Sequence, residues 1–133
     1  MGTAYFIVLE RPVAGLDTSM DGKSLAKEVA DLDWTAKETG VRPLSEFVSV
    51  NPDMAREFLE GQGMSTSDMS MPELQQFTAE EGLKSVRMLL REIQAWVPGA
   101  KDTRGILADL RECERILDAA AGQSVRWHFE VDF

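Results

Sequence analysis

The chain has 133 residues, 44% of them hydrophobic and 28% charged, with a formal net charge of −9. This is the size and composition of one folded domain with its own core, and they exclude a chain disordered throughout. Acids outnumber bases 11 to 6 over residues 1–60 and 12 to 8 over residues 61–133, so the surface repels phosphate: nucleic acid and anionic membranes are excluded as expected partners, and a basic protein suits it better.

Ala4 to Leu9 reads as a strand that is apolar on both faces, Tyr5, Ile7 and Leu9 alternating with Phe6 and Val8. Such a strand is normally covered on both sides. The run is too short for a secretory signal, and Glu10-Arg11-Pro12 follows it at once. No apolar run approaches the roughly 18 residues of a membrane-spanning helix, so a cytoplasmic location is expected. Residues 12–22 form a loop rich in turn formers.

A first helix is predicted from Ser24 to Thr39, with Leu25, Val29, Leu32 and Ala36 at helical spacing and Gly40 as the stop. Residues 43–50 are ambiguous, with Phe47 and Val48 facing the core. Asn51 as N-cap and Pro52 at the first position open a short helix ending near Gly61, anchored by Phe58 and Leu59. Residues 61–76 are irregular and hold Met64, Met69 and Met71. Thr78 and Glu81 make a capping box. The helix behind it carries Leu83, Val86, Leu90, Ile93 and Val97 on one stripe, widened by Leu89 and Trp96, until Pro98-Gly99 breaks it. A last helix opens at Asp102 or Thr103, buries Ile106, Leu110, Cys113, Leu117 and Ala120, and ends at Gly122. These two helices should form an antiparallel hairpin.

The clearest pattern closes the chain. Val125, Trp127, Phe129, Val131 and Phe133 alternate with Arg126, His128, Glu130 and Asp132, the mark of a strand with one buried and one wet face. The expected fold is a single α+β domain over residues 1–133: a small antiparallel sheet including both terminal strands, packed against about four helices. A third strand near residues 47–50, or strands of a second subunit, would complete the sheet. Phe6 and Val8 need cover from residues 61–76 or from a second copy, which makes a homodimer a further expectation.

Candidate chemistry is sparse. Asp17-Thr18-Ser19-Met20-Asp21-Gly22-Lys23-Ser24 ends like a phosphate-binding loop, but Asp17 stands where the first glycine is needed, and Asp17 and Asp21 would set two negative charges beside a polyphosphate. The bland reading is a helix start with capping residues. Asp17 and Asp21 could also flank a Ca²⁺ ion, although the spacing lacks the alternating ligands of an EF-hand. The three loop methionines suit Cu(I), a flexible partner surface or plain packing, of which packing is the simplest. Cys113 lies in a helical stripe and reads as a buried structural thiol. His128, the single histidine, falls on the polar strand face between Arg126 and Glu130 and is expected at the surface. Trp34 lies half a turn off its helix's apolar stripe; it packs under residues 61–76 or anchors an interface, packing being the expectation. No catalytic residue, cofactor or metal site emerges; Asp17, Asp21, Trp34 and His128 remain as a candidate ligand or partner surface.

The ordered landmarks resemble a family of small uncharacterised bacterial proteins: the Tyr5–Leu9 strand with Gly15-Leu16-Asp17, Gly22-Lys23, Gly40-Val41 with Pro43-Leu44 and Phe47, Glu81-Gly82-Leu83, and Val125-Arg126-Trp127-His128-Phe129 with Asp132-Phe133. The resemblance implies a bacterial protein whose termini are integral to the fold, and it transfers no activity or catalytic residue. The function expected is that of a protein-interaction module (adaptor, inhibitor or immunity type) binding itself or a basic partner. The alternative is a small-molecule binder or small enzyme with a carboxylate-lined pocket.

Overall fold

Both ends of the chain meet in one sheet. In the computed structural model, which describes residues 3–50, 52–65, 67, 73–95 and 103–132, β1 (Ala4–Leu9) and β2 (Trp127–Asp132) pair antiparallel. The register sets Ile7 opposite Phe129 and Val8 opposite His128. The odd-numbered residues Tyr5, Ile7, Trp127 and Phe129 are buried against the helices, as period-2 alternation requires. Glu10 locks the end of the ladder: its backbone N–H donates to Arg126 O at 3.0 Å, and its carboxylate accepts from Arg126 N and Nε. Residues 47–50 do not form a third strand. Leu44–Phe47 is a single 3-10 turn, Val48 makes one isolated parallel bridge to Phe129, and the sheet stays two-stranded.

The predicted first helix divides at Glu28 into α1 (Lys23–Lys27) and α2 (Val29–Thr39). Its two halves serve different neighbours: α1 packs on β1 and the C-terminal helix, whereas α2 packs on the 3-10 turn and the helix that follows residue 78. The third helix, α3 (Pro52–Gly61), stands where its proline start placed it, with Asn51 outside the described residues. Phe58 does not anchor it, being 66% exposed. The fourth, α4 (Ala79–Ile93), and the fifth, α5 (Thr103–Gly122), form the expected hairpin and the most extensive helix–helix contact of the fold. Leu89 rather than Leu90 lies at the centre of the α4 stripe, fully buried, and the helix ends at Ile93. Trp96 and Val97 lie outside the described residues. Thr78 Oγ1 accepts from Glu81 N at 3.2 Å, but the Glu81 carboxylate does not reach back; it takes Arg42 Nη1 at 2.7 Å instead.

The core centres on aromatic rings. Trp127 stacks on Phe47 at 4.9 Å and meets Phe129 edge-on at 4.8 Å, while Phe47 meets Phe77 edge-on at 5.1 Å. The indole Nε1–H, which needs a partner when buried, donates to Thr78 O at 3.1 Å. The indole reaches α4 because residue 82 is glycine: a Cβ there would collide with the ring, lying 2.7 Å from Cε2.

Candidate functional site

The two edges of the sheet differ. The far edge of β2 is paired at Trp127, which exchanges both backbone hydrogen bonds with Phe77 at 2.8 and 2.9 Å, and at Phe129, whose O accepts from Ser49 N at 3.0 Å. Along β1 the ladder to β2 uses even-numbered residues, continuing into Glu10, so the peptide groups of Tyr5, Ile7 and Leu9 point away from β2. Tyr5 N–H donates to Gly22 O at 3.1 Å. Gly22 approaches so closely, with φ of 70°, that any Cβ would overlap Tyr5 O. Beyond it, the outward N–H and C=O groups of Ile7 and Leu9 have no partner among the described residues.

A groove of about 520 Å³ runs beside this edge, where Ile7 is only 4% exposed. Phe6, Val8, Val13 and Leu16 give it apolar walls, and Glu10 and Arg11 stand at one end. Both of those charges are engaged: Glu10 with Arg126, and Arg11 Nη2 with Gln123 O at 2.7 Å. The carboxyl of Glu10 is held below the usual carboxylate range, first by the Arg126 backbone N–H and then by its guanidinium.

The four candidate residues do not converge on this groove or on one another. Asp17 is exposed, and Ser19 holds its carboxyl below the ordinary value, first through its side chain and then through its backbone N–H, which donates at 2.9 Å. Asp21 is exposed and accepts from Lys23 N at 3.3 Å. Each carboxylate thus caps its own turn, as Asp side chains commonly do. Trp34 does not pack: it is 65% exposed on α2.

His128 is the main correction. Alternation puts it on the outer face of β2, as expected, yet it is 1% exposed rather than a surface residue. Gln76, from the segment leading to α4, reaches over it: His128 Nδ1 lies 3.0 Å from Gln76 Oε1, and Nε2 lies 2.7 Å from Glu130 Oε2. A carboxylate only accepts, so Nε2 carries the proton toward Glu130; Nδ1 then donates to Gln76 Oε1 or accepts from the Gln76 amide turned about its axis. Arg126, expected beside His128, is turned away to Glu10. A histidine beside a glutamate suggests a general base with its orienting partner, but both ring nitrogens are occupied and His128 does not line the groove. A base needs a nitrogen within reach of substrate.

Sequence reasoning missed Asp109. It is buried on α5 with its carboxylate aimed at the start of α1, accepting from Leu25 N at 3.3 Å, with Gly22 and Ser24 N–H groups also facing it. Burial pushes its carboxyl above the ordinary value, against the opposing pull of those three N–H groups. The helix start that resembled a phosphate loop therefore already faces a carboxyl group, the protein's own. Asp109 falls within the α5 stripe between Ile106 and Leu110, and a lone acid at an apolar helical position is the signal that could have found it.

Cys113 is buried, with its thiol 4.0 Å from Met20 Sδ, and burial raises its pKa far above that of a reactive thiol. Among the described residues no group of three or more His, Cys, Asp or Glu is placed to hold a metal ion. Met64 is exposed; Met69 and Met71 lie outside the described residues.

No protein-family model, curated protein or solved structure matches this chain.

Proposed function

We propose that the protein is a protein-interaction module, of adaptor, inhibitor or immunity type, that binds a basic partner. The observation that carries this reading is Trp34, an indole 65% exposed on α2. Tryptophan is the side chain most enriched at binding hot spots, because it gains the most on leaving water. The net charge of −9 supports a basic partner by long-range attraction. No described helix is long and apolar enough to cross a membrane, and the proposed setting is the cytoplasm.

The test compares affinity capture by the wild type and by Trp34→Ala from a cell extract. The expected result is a protein retained by the wild type, lost with Trp34→Ala, and released above about 0.5 M salt as charge attraction is screened. Retention of the same proteins by both baits, or of none by either, would overturn the reading.

A second reading, a small-molecule site, draws support from the volume of the β1 groove, which falls in the range of ligand pockets. The one carboxylate in its walls, Glu10, is already paired with Arg126, and Asp17, Asp21 and His128 all lie outside them.

A further inference from the structure

Residues 12–18 flank β1, and the groove between them is walled by Phe6, Val8, Leu9, Val13 and Leu16, each half-buried. These side chains still meet water, and an apolar body filling the groove would remove them from it, which is favourable. The volume of about 520 Å³ suits a small ligand. The charged end of the groove is not neutral. Glu10 and Arg126 offset each other across a contact of 3.0 Å. Arg11 commits one N–H to Gln123 O at 2.7 Å, just past the end of α5. That contact caps a helix end, but the carbonyl carries no net charge, and Arg11 makes no ion pair among the described residues. A guanidinium has five N–H donors in a planar fork. Its positive charge is therefore left over at this end of the groove, with donors to spare.

The groove's own residues select the occupant. Its walls are apolar, and its one unneutralised charge is positive, although the chain as a whole carries −9. A carboxylate matches the fork of Arg11, because the two planar groups can share parallel hydrogen bonds. An alkyl chain matches the apolar length beside β1. We propose that this groove binds a medium-chain aliphatic carboxylate, with its tail against Phe6, Val8, Val13 and Leu16 and its carboxylate on Arg11. The inference rests on the small-molecule reading of the groove and names the ligand class; it is independent of Trp34.

The test titrates the isotope-labelled full chain with sodium decanoate at about 0.15 M salt, where charges more than about 8 Å away are largely screened. The expected result is a saturating shift of the methyl resonances of Val8, Val13 and Leu16. Butanoate, with the same head and little tail, should bind at least about tenfold more weakly, for loss of buried methylenes. Decyltrimethylammonium, with the same tail and the opposite charge, should also bind at least about tenfold more weakly. Arg11→Met keeps an apolar stem and removes the fork, and should weaken decanoate about tenfold, the effect of one lost hydrogen bond to a charged group. Should that variant fail to fold without its contact to Gln123, the three ligands compared on the wild type decide the question. Three results would overturn the site altogether: no saturating shift, shifts spread over the whole protein as the alkyl chain denatures it, or shifts of these methyls with protein concentration in the absence of ligand, which would assign the groove to a second copy. Equal binding of decyltrimethylammonium, or no loss in a folded Arg11→Met, would overturn the carboxylate assignment and leave the small-molecule reading standing, so the two can fail separately.

Discussion

Gly82 lies inside α4, where alanine ordinarily favours a helix by about 1 kcal/mol. Here the added methyl would enter the ring of Trp127, which is itself wedged between Phe47 and Phe129. The clash outweighs the helix preference. Gly82→Ala should lower stability by about 1–3 kcal/mol, the usual cost of overpacking a filled core, read as a lower urea midpoint; an unchanged or higher midpoint would refute the close approach. His128 teaches the complementary lesson at the same scale. Alternation within β2 reports which face a side chain takes, but not whether another segment covers that face. Gln76 is 52 residues away in the chain, and nothing local to His128 signals its arrival.

At the scale of the element, α1 is too short to be stable alone, and its start is held from outside by Asp109. Asp109→Ala leaves the N–H groups of Leu25, Gly22 and Ser24 facing a buried void, and should destabilise the protein by about 1–3 kcal/mol. Asp109→Asn, which keeps one acceptor oxygen, should cost less. The pH dependence follows from the raised carboxyl. A folded-state pKa above the unfolded one makes the contribution of Asp109 greatest below the ordinary aspartate value, and that contribution declines as pH rises through the raised folded value. The stability of the wild type relative to Asp109→Asn should therefore fall as pH rises above the ordinary aspartate value of 3.8 in urea titrations; a difference that does not change with pH would show that burial does not dominate. The break at Glu28 belongs to this scale as well. The residues from Ser24 to Thr39 carry one continuous helical stripe, and the bend exists because α1 and α2 pack on different neighbours.

For the whole molecule, Cys113 reports on cooperativity. It is fully buried at the centre of the α5 stripe, and burial keeps its thiol protonated far above neutral pH. A thiol reagent should modify it only as fast as the domain opens, with the rate rising with urea in step with the unfolded population. Rapid stoichiometric labelling of the native protein would contradict this packing. The same scale joins the two chain ends: β1 and β2 are partners across almost the entire sequence, and the Glu10–Arg126 cluster closes their ladder.

The α+β class, the positions of both terminal strands, the end of α5 at Gly122 and the proline-led start of α3 are legible in the residues alone. Each of these rests on a periodicity or a punctuating residue within one segment, and local chemistry suffices to write them. Residues 17–24 also read as a helix start with capping residues, and Asp17 and Asp21 accept from the backbone N–H groups of Ser19 and Lys23. The burial of His128, the exposure of Trp34 and Phe58 and the capping role of Asp109 come from the assembled fold. All of these depend on what a distant segment places, or does not place, against a residue, and neither hydrophobic period nor turn propensity encodes that distance. The candidate interaction site is of the second kind: the helical spacing set Trp34 off the apolar stripe of its helix, but its exposure follows because no distant segment among the described residues covers it.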